Sequence, residues 1–239
     1  MAAPEVEPAP SPPPGPPLGP RVALIHATPV AVDPVLSAFA ADWPSAELVN
    51  LLDDSLGADR ARDPELTPAL RRRIAELGDY ALTGGAQAIL YTCSAFGPAI
   101  EAVAARAPVP VLKPNEAMFA AALETGQRIA MLATFPPSIA SMEAEFRQQA
   151  ASLGSAAVLE SHLVADALDA LKGGDAERHN ALVAQAAARL PAVDAILLAQ
   201  FSTSRALEAV GAVTEAPVLT SPAAAVALLR RLLDRPSAL

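Results

Sequence analysis

Cysteine, aromatic and basic residues are all scarce in this chain, and each scarcity removes a class of function. A single cysteine, Cys93, among 239 residues excludes an internal disulfide and a multi-cysteine metal cluster. Aromatic residues make up 4%, too few for the stacking platforms that bind single-stranded nucleic acid. Lysine and arginine number 17 against 26 aspartates and glutamates, a formal charge of −9, so nothing draws the chain to nucleic acid or anionic lipid. No run of about eighteen uncharged apolar residues is present, so no transmembrane helix is expected. Neither nucleic acid nor membrane is an expected partner. The start lacks the basic and apolar regions of a secretory signal, which makes cytoplasmic the default location.

What is present in excess is proline, 24 in all, with nine in the first twenty residues. Residues 1–20 read as a disordered, polyproline-like tail, either a passive extension or a ligand for a partner domain. The folded part is expected from Arg21 onward, and 52% apolar composition is ample for one large domain or two small ones.

Short apolar runs then alternate with longer alanine-rich amphipathic stretches, the pattern of parallel βαβ units. Strands are predicted over 21–25, 46–51, 88–92 and 109–112, and again over 128–133, 156–160, 195–199 and 216–219. A helix is predicted from Pro68 to Ala86, where apolar residues recur three and four apart. The two sets superpose at one offset: Arg21 on Arg128, Arg71 on Arg178, Ala88 on Ala195 and Pro110 on Pro217 each differ by 107. Across 86–103 against 193–210, seven of eighteen positions are identical. The chain therefore reads as a duplication, with a first α/β half at 21–127 and a second at 128–239. The expected architecture is two doubly wound lobes with parallel sheets, related by a pseudo-twofold axis. Ligands of such folds bind where the carboxyl ends of the strands meet.

Four strand-end loops carry unusual residues: His26-Ala27-Thr28-Pro29, Ala133-Thr134-Phe135-Pro136-Pro137-Ser138, Cys93-Ser94-Ala95-Phe96-Gly97-Pro98 and Gln200-Phe201-Ser202-Thr203-Ser204. Hydroxyl groups and free N–H groups at strand-to-helix turns suit a carboxylate or phosphate, although any one such loop is explained equally well by helix capping. Thr28, Thr92, Ser94, Thr134, Phe201, Ser202 and Thr203 are the candidate substrate-binding residues. Cys93, placed at a helix start, is expected to have a depressed pKa and a reactive thiol. His26 ends the first strand beside the third and reads either as the partner of Cys93 or as a histidine satisfied by the backbone. His162 is a reserve candidate, and His179 and Lys113 read as surface residues. Asp53 and Asp54 read as a turn or cap rather than a metal pair, and no metal site is expected.

The duplicated halves, the segment AILYTCSAFGPAIEAV and the following PVPVLKPNEAMFAAAL resemble the aspartate/glutamate/hydantoin racemase superfamily, which includes arylmalonate decarboxylase and maleate isomerase. The resemblance covers about residues 21–234 and implies an enzyme without metal or organic cofactor, acting at the carbon next to a carboxylate, with a homodimer as the assembly. It implies two cysteines facing each other across the substrate carbon. Cys93 matches the first; Gln200 stands where the second belongs, and glutamine cannot exchange a proton as a thiol does. The resemblance adds Asn115, in the Asn-Glu-Ala stretch after the fourth strand, to the binding set, and leaves Gln200 as a donor to the reaction intermediate. Three functions stay open: a one-cysteine racemase-, isomerase- or decarboxylase-like enzyme on an amino acid, hydantoin or malonate-type substrate; a small-anion-binding pseudoenzyme; and a Cys/His hydrolase.

Overall fold

A computed structural model describes residues 19–63 and 65–234 of the chain. The expected proline-rich tail lies, up to residue 18, outside the described residues. Gly19 and Pro20 are already tied down: the Gly19 N–H donates to Ser45 O at 2.8 Å, and Pro20 O accepts from Glu47 N at 3.1 Å.

Each half contributes one four-stranded parallel sheet. In the first, β1 (Arg21–His26), β2 (Glu47–Leu52), β3 (Ala88–Tyr91) and β4 (Val111–Leu112) lie in the order β2-β1-β3-β4. In the second, β5 (Arg128–Ala133), β6 (Val158–Leu163), β7 (Ala195–Leu198) and β8 (Val218–Thr220) lie in the order β6-β5-β7-β8. The central strands are apolar throughout because helices cover both faces of a parallel sheet. The register repeats with the sequence: Val22 pairs with Ala88 and Ile89 with Val111, while Ile129 pairs with Ala195 and Ile196 with Val218, all shifted by 107. At the edge strands the offset becomes 111, since Arg21 pairs with Glu47 but Arg128 with Val158. Of the four extra residues, three extend the C-terminal end of α6 (Pro136–Ser152) beyond that of its counterpart α1 (Val32–Asp42), and one lengthens the loop before β6.

The remaining helices are α2 (Ser55–Arg62), α3 (Pro68–Thr83), α4 (Gly97–Ala104), α5 (Glu116–Thr125), α7 (Ala167–Lys172), α8 (Ala176–Ala187), α9 (Leu207–Gly211) and α10 (Ser221–Leu233). Thr67 caps α3 by accepting from Leu70 N, and Asp175 caps α8 by accepting from Arg178 N. The last helix of each half packs over the other half's sheet. Met118, Phe119 and Ala122 of α5 join the core of β5 and β7, and Ala225, Val226 and Leu229 of α10 join that of β1 and β3. This exchange locks the halves together and turns their strand ends toward a shared cleft. At its inner joint the fully buried Ser221 hydroxyl donates to Asn115 Oδ1 at 2.6 Å.

Candidate active site

The strand-end loops of both halves enclose a cavity of about 290 Å³. Thr28, Thr92, Cys93, Ser94, Thr134, Gln200, Phe201 and Ser202 all line it, so most of the predicted set converges. Cys93 and Gln200, repeat mates at β3 and β7, share this one wall-to-wall space. Three predicted members, His26, Asn115 and Thr203, are not among its lining residues. Asn115 is the cross-half tie described above, and Thr203 stands behind Gln200 as its hydrogen-bond donor.

Sequence reasoning placed Ser138 in a strand-end loop without naming it a site residue, and it missed the cavity's two roofs. Gly57 and Ala58 of α2, with Asp54, form one; Leu168 and Lys172 of α7 form the other. A signal existed. Continuing the 111 offset of the edge strands pairs Gly57 with Leu168. Gly57 is needed for close packing, since a Cβ there would lie 2.9 Å from Ala27 O. Arg73 holds α2 in place by pairing with Asp53 and Asp59 together, and Asp53 caps the helix start through Ser55 N at 3.2 Å.

Cys93 departs from expectation. Burial pushes its thiol up to about 11, against the weaker opposing pulls of the Ala95 N–H and the Arg60 guanidinium. The expected helix dipole is absent because Cys93 precedes a three-residue 3-10 turn, Ser94–Phe96, with α4 beginning only at Gly97. Arg60 is itself buried, donating to Ala95 O at 3.2 Å and to Asp63 O at 2.6 Å. At neutral pH Cys93 is therefore a thiol that holds its proton. Beside it the Ser94 hydroxyl is buried, lines the cavity and has no hydrogen-bond partner among the described residues.

His26 is not the hydrogen-bonded partner of that thiol. Its Nδ1 lies 3.0 Å from Thr92 Oγ1 and its Nε2 lies 3.0 Å from Asn50 Oδ1. Burial lowers its pKa, with the Asn50 hydrogen bond opposing, so the ring is neutral near pH 7. An amide oxygen only accepts, which assigns the proton to Nε2 and leaves Nδ1 an acceptor facing the Thr92 hydroxyl, which also lies 3.3 Å from Ile25 O. Both nitrogens are thereby committed, and His26 acts as a brace that fixes Thr92 and β2 against β1.

Gln200 is also more constrained than expected. Its Oε1 accepts from Thr134 N at 2.9 Å and from the hydroxyls of Thr134 and Thr203, each at 3.2 Å. Its Nε2 donates to Ser138 Oγ at 2.8 Å, and that hydroxyl passes its own proton to Phe135 O at 2.8 Å. One of the two amide N–H groups is committed to Ser138, and Oε1 is enclosed by three donors. The side chain is a built-in ligand of its own loop.

The remaining histidines and Lys113 lie elsewhere. His179 is fully buried rather than exposed, with Nδ1 2.8 Å from Asn180 Oδ1. His162 sits on β6 beside Glu160 at 3.3 Å. Lys113 is largely buried, pairing with Glu101 at 2.7 Å and Glu145 at 3.5 Å, so it joins α4 to α6 and is not a free cation. Among the described residues no group of three or more His, Cys, Asp or Glu side chains is placed to hold a metal ion, and no helix is long and apolar enough to cross a membrane.

Solved structures with this fold include a glutamate racemase from Bacillus anthracis, at 13% identity and a TM-score of 0.75, covering 90% of this chain and 82% of that one. An aspartate racemase from Picrophilus torridus aligns at 18% identity and a TM-score of 0.67, covering 91% of this chain and 96% of that one. An allantoin racemase from Pseudomonas fluorescens aligns at 16% identity and a TM-score of 0.65, covering 89% and 90%. No curated protein sequence matches the chain. Residues 26–229 match the model of the Asp/Glu/hydantoin racemase family. With the duplicated sheets and a strand-end cysteine at their shared cavity, this match places the chain in the Asp/Glu/hydantoin racemase family.

Proposed function

We propose that the chain is a cofactor-independent enzyme that delivers a proton to one face of the carbon next to a carboxylate, with Cys93 as the acid. The observation that carries this reading is the pairing, in one cavity, of a thiol that keeps its proton with a repeat mate that cannot take one. A two-base racemase needs a base on each side of the carbon; here only one side has an exchangeable group.

In the reaction, departure of CO₂, or transfer of the α-proton to solvent, leaves an electron pair shared between the α-carbon and the remaining carboxylate oxygens. The carbon takes the S–H proton, the thiolate keeps the sulfur–hydrogen electron pair, and solvent returns a proton to sulfur. Charge on the enediolate oxygens calls for fixed donors in a site shielded from water. The unpartnered Ser94 hydroxyl is such a donor, with Thr28 and Ser202 across the cavity. A buried neutral thiol suits donation, since the same burial that resists ionisation drives the nascent thiolate to recover a proton.

Amino acids, hydantoins, malonates and maleate form the assay panel. Cys93→Ser is expected to lower turnover of any active compound by about 100-fold or more, and turnover in D₂O to place deuterium on one face only. Activity unchanged by the substitution would remove the cysteine from the mechanism. A second reading, a small-anion-binding protein without turnover, is favoured by the closed Gln200 network; it predicts ligand-induced thermal stabilisation with no proton exchange at the α-carbon. The hydrolase reading has little support, because both His26 nitrogens are engaged elsewhere.

A further inference from the structure

We infer that the cavity selects carboxylates bearing one negative group and an apolar substituent, because the chain's own Gln200 fills the anion cradle of the second half. The inference rests on the reading above that the ligand is a carboxylate, and within it selects the route by loss of the α-proton, since the CO₂ route needs a second carboxylate.

The cradle consists of three donors aimed at one point: Thr134 N–H, Thr134 Oγ1 and Thr203 Oγ1. An amide N–H only donates, so the atom 2.9 Å from it is the Gln200 carbonyl oxygen, and Nε2 faces the Ser138 lone pair. Three donors around one oxygen is the arrangement a carboxylate oxygen takes, and Gln200 presents an oxygen of the same shape without the charge. The side-chain hydroxyls lining the cavity that make no hydrogen bond among the described residues are those of Thr28, Ser94 and Ser202. These three hydroxyls serve one carboxylate, and the second half's cradle, filled by Gln200, offers none of its three donors to another. A desolvated anion without donors is strongly disfavoured. The cavity's charged lining residues, Asp54 and Lys172, are exposed at its rim and of opposite sign, so they give no net attraction to a second anion. The rest of the wall, including Ala27, Val30, Phe135, Leu168 and Phe201, is apolar and suits a hydrocarbon substituent.

The test uses a matched pair that lacks an α-proton: pivalate, and dimethylmalonate, in which one methyl is replaced by a carboxylate. Affinities are measured by ligand-observed NMR for the full chain and for Gln200→Ala, with Gln200→Ser as a second variant that keeps a hydroxyl among the buried donors should the alanine variant fold poorly. The full chain is expected to bind pivalate at least tenfold more tightly than dimethylmalonate, and either variant to gain tenfold or more for dimethylmalonate. Equal affinities in the full chain, or no gain in the variants, overturn the selectivity. Failure of both anions to bind the full chain, with Ser94→Ala equally inert, instead overturns the carboxylate reading itself.

Discussion

Cys93 and Gln200 occupy the same place in two copies of one unit, yet their surroundings are chemically opposite. Around Gln200 stand Thr134, Ser138 and Thr203; the residues 107 earlier, around Cys93, are Ala27, Ala31 and Phe96, all buried. The first half keeps hydroxyls on Thr92 and Ser94, the residues flanking Cys93, whereas the second has gathered them around the Gln200 amide itself. A thiol among alanine and phenylalanine side chains keeps its proton, whereas an amide among donors becomes locked. Duplication supplied two equivalent stations, and substitution of their neighbours made one reactive and the other a fixed part of the wall.

The sharpest way to break this comparison is to place the same thiol at both stations. In Gln200→Cys, the new sulfur would meet the Thr134 N–H and two hydroxyls, donors that stabilise a thiolate. At pH 8 the introduced cysteine is expected to alkylate with iodoacetamide about 100-fold faster than Cys93, a difference of roughly two pKa units. Peptide mass spectrometry separates the two sites. Equal rates would show that the neighbours do not govern thiol chemistry here.

Much of the fold was legible because buried parallel strands write themselves as unbroken apolar runs. RIAMLA is the whole of β5, and β1, β3 and β7 differ from their predicted spans by one residue. The edge strands shifted further: β6 runs over 158–163 rather than 156–160, since one face is open to solvent and charged residues interrupt its pattern. The exchange of α5 and α10 was not legible, because helical periodicity marks an apolar face without naming the sheet it will meet. At the site, the convergence of Cys93 and Gln200 followed from the repeat alone. The direction of the thiol's pKa was misread because a strand-end cysteine was assumed to head a long helix, and here a 3-10 turn intervenes. The same repeat register held the correction, since it aligns Thr134 with Ala27 and Thr203 with Phe96.

A second asymmetry of this kind lies at the joint between the halves. Phe39 of α1 and its mate Phe146 of α6 are both core residues, but the neighbouring pair is Ala38 and Glu145. Burial raises the Glu145 carboxyl to about 7, with Lys113 pulling it down and Glu116 and Glu101 pushing it further up. Its folded pKa thus exceeds the ordinary 4.5, so the native state holds the proton more tightly. The stabilisation is complete below about 4.5 and is lost as pH rises through about 7. Glu145→Gln is expected to flatten that slope, an effect on the order of 3 kcal/mol between pH 4.5 and 8. Urea unfolding across the range reads it. An unchanged slope would assign the proton uptake to another group.

The smallest expected effect concerns the two roofs. On α2 the wall comes close as backbone, with Gly57 against Ala27 O, whereas on α7 it is the Leu168 side chain that reaches the cavity. Gly57→Ala puts a methyl 2.9 Å from the backbone carbonyl oxygen of Ala27, in the loop after β1, and neither atom is the end of a flexible chain. Either α2 or the loop after β1 must shift, at a cost of about 1–3 kcal/mol. Arg73 resists the shift of α2 through its pairs with Asp53 and Asp59, so the strain is expected to stay in the structure and to weaken binding of the monocarboxylate. Leu168→Ala, which removes side chain instead of adding it, is expected to cost about 1 kcal/mol and to admit a larger substituent. Denaturation and ligand titration of both variants separate the roofs. A Gly57→Ala protein as stable as its parent would mean that α2 moves freely over the cavity, and the tight wall would then lie with α7 alone.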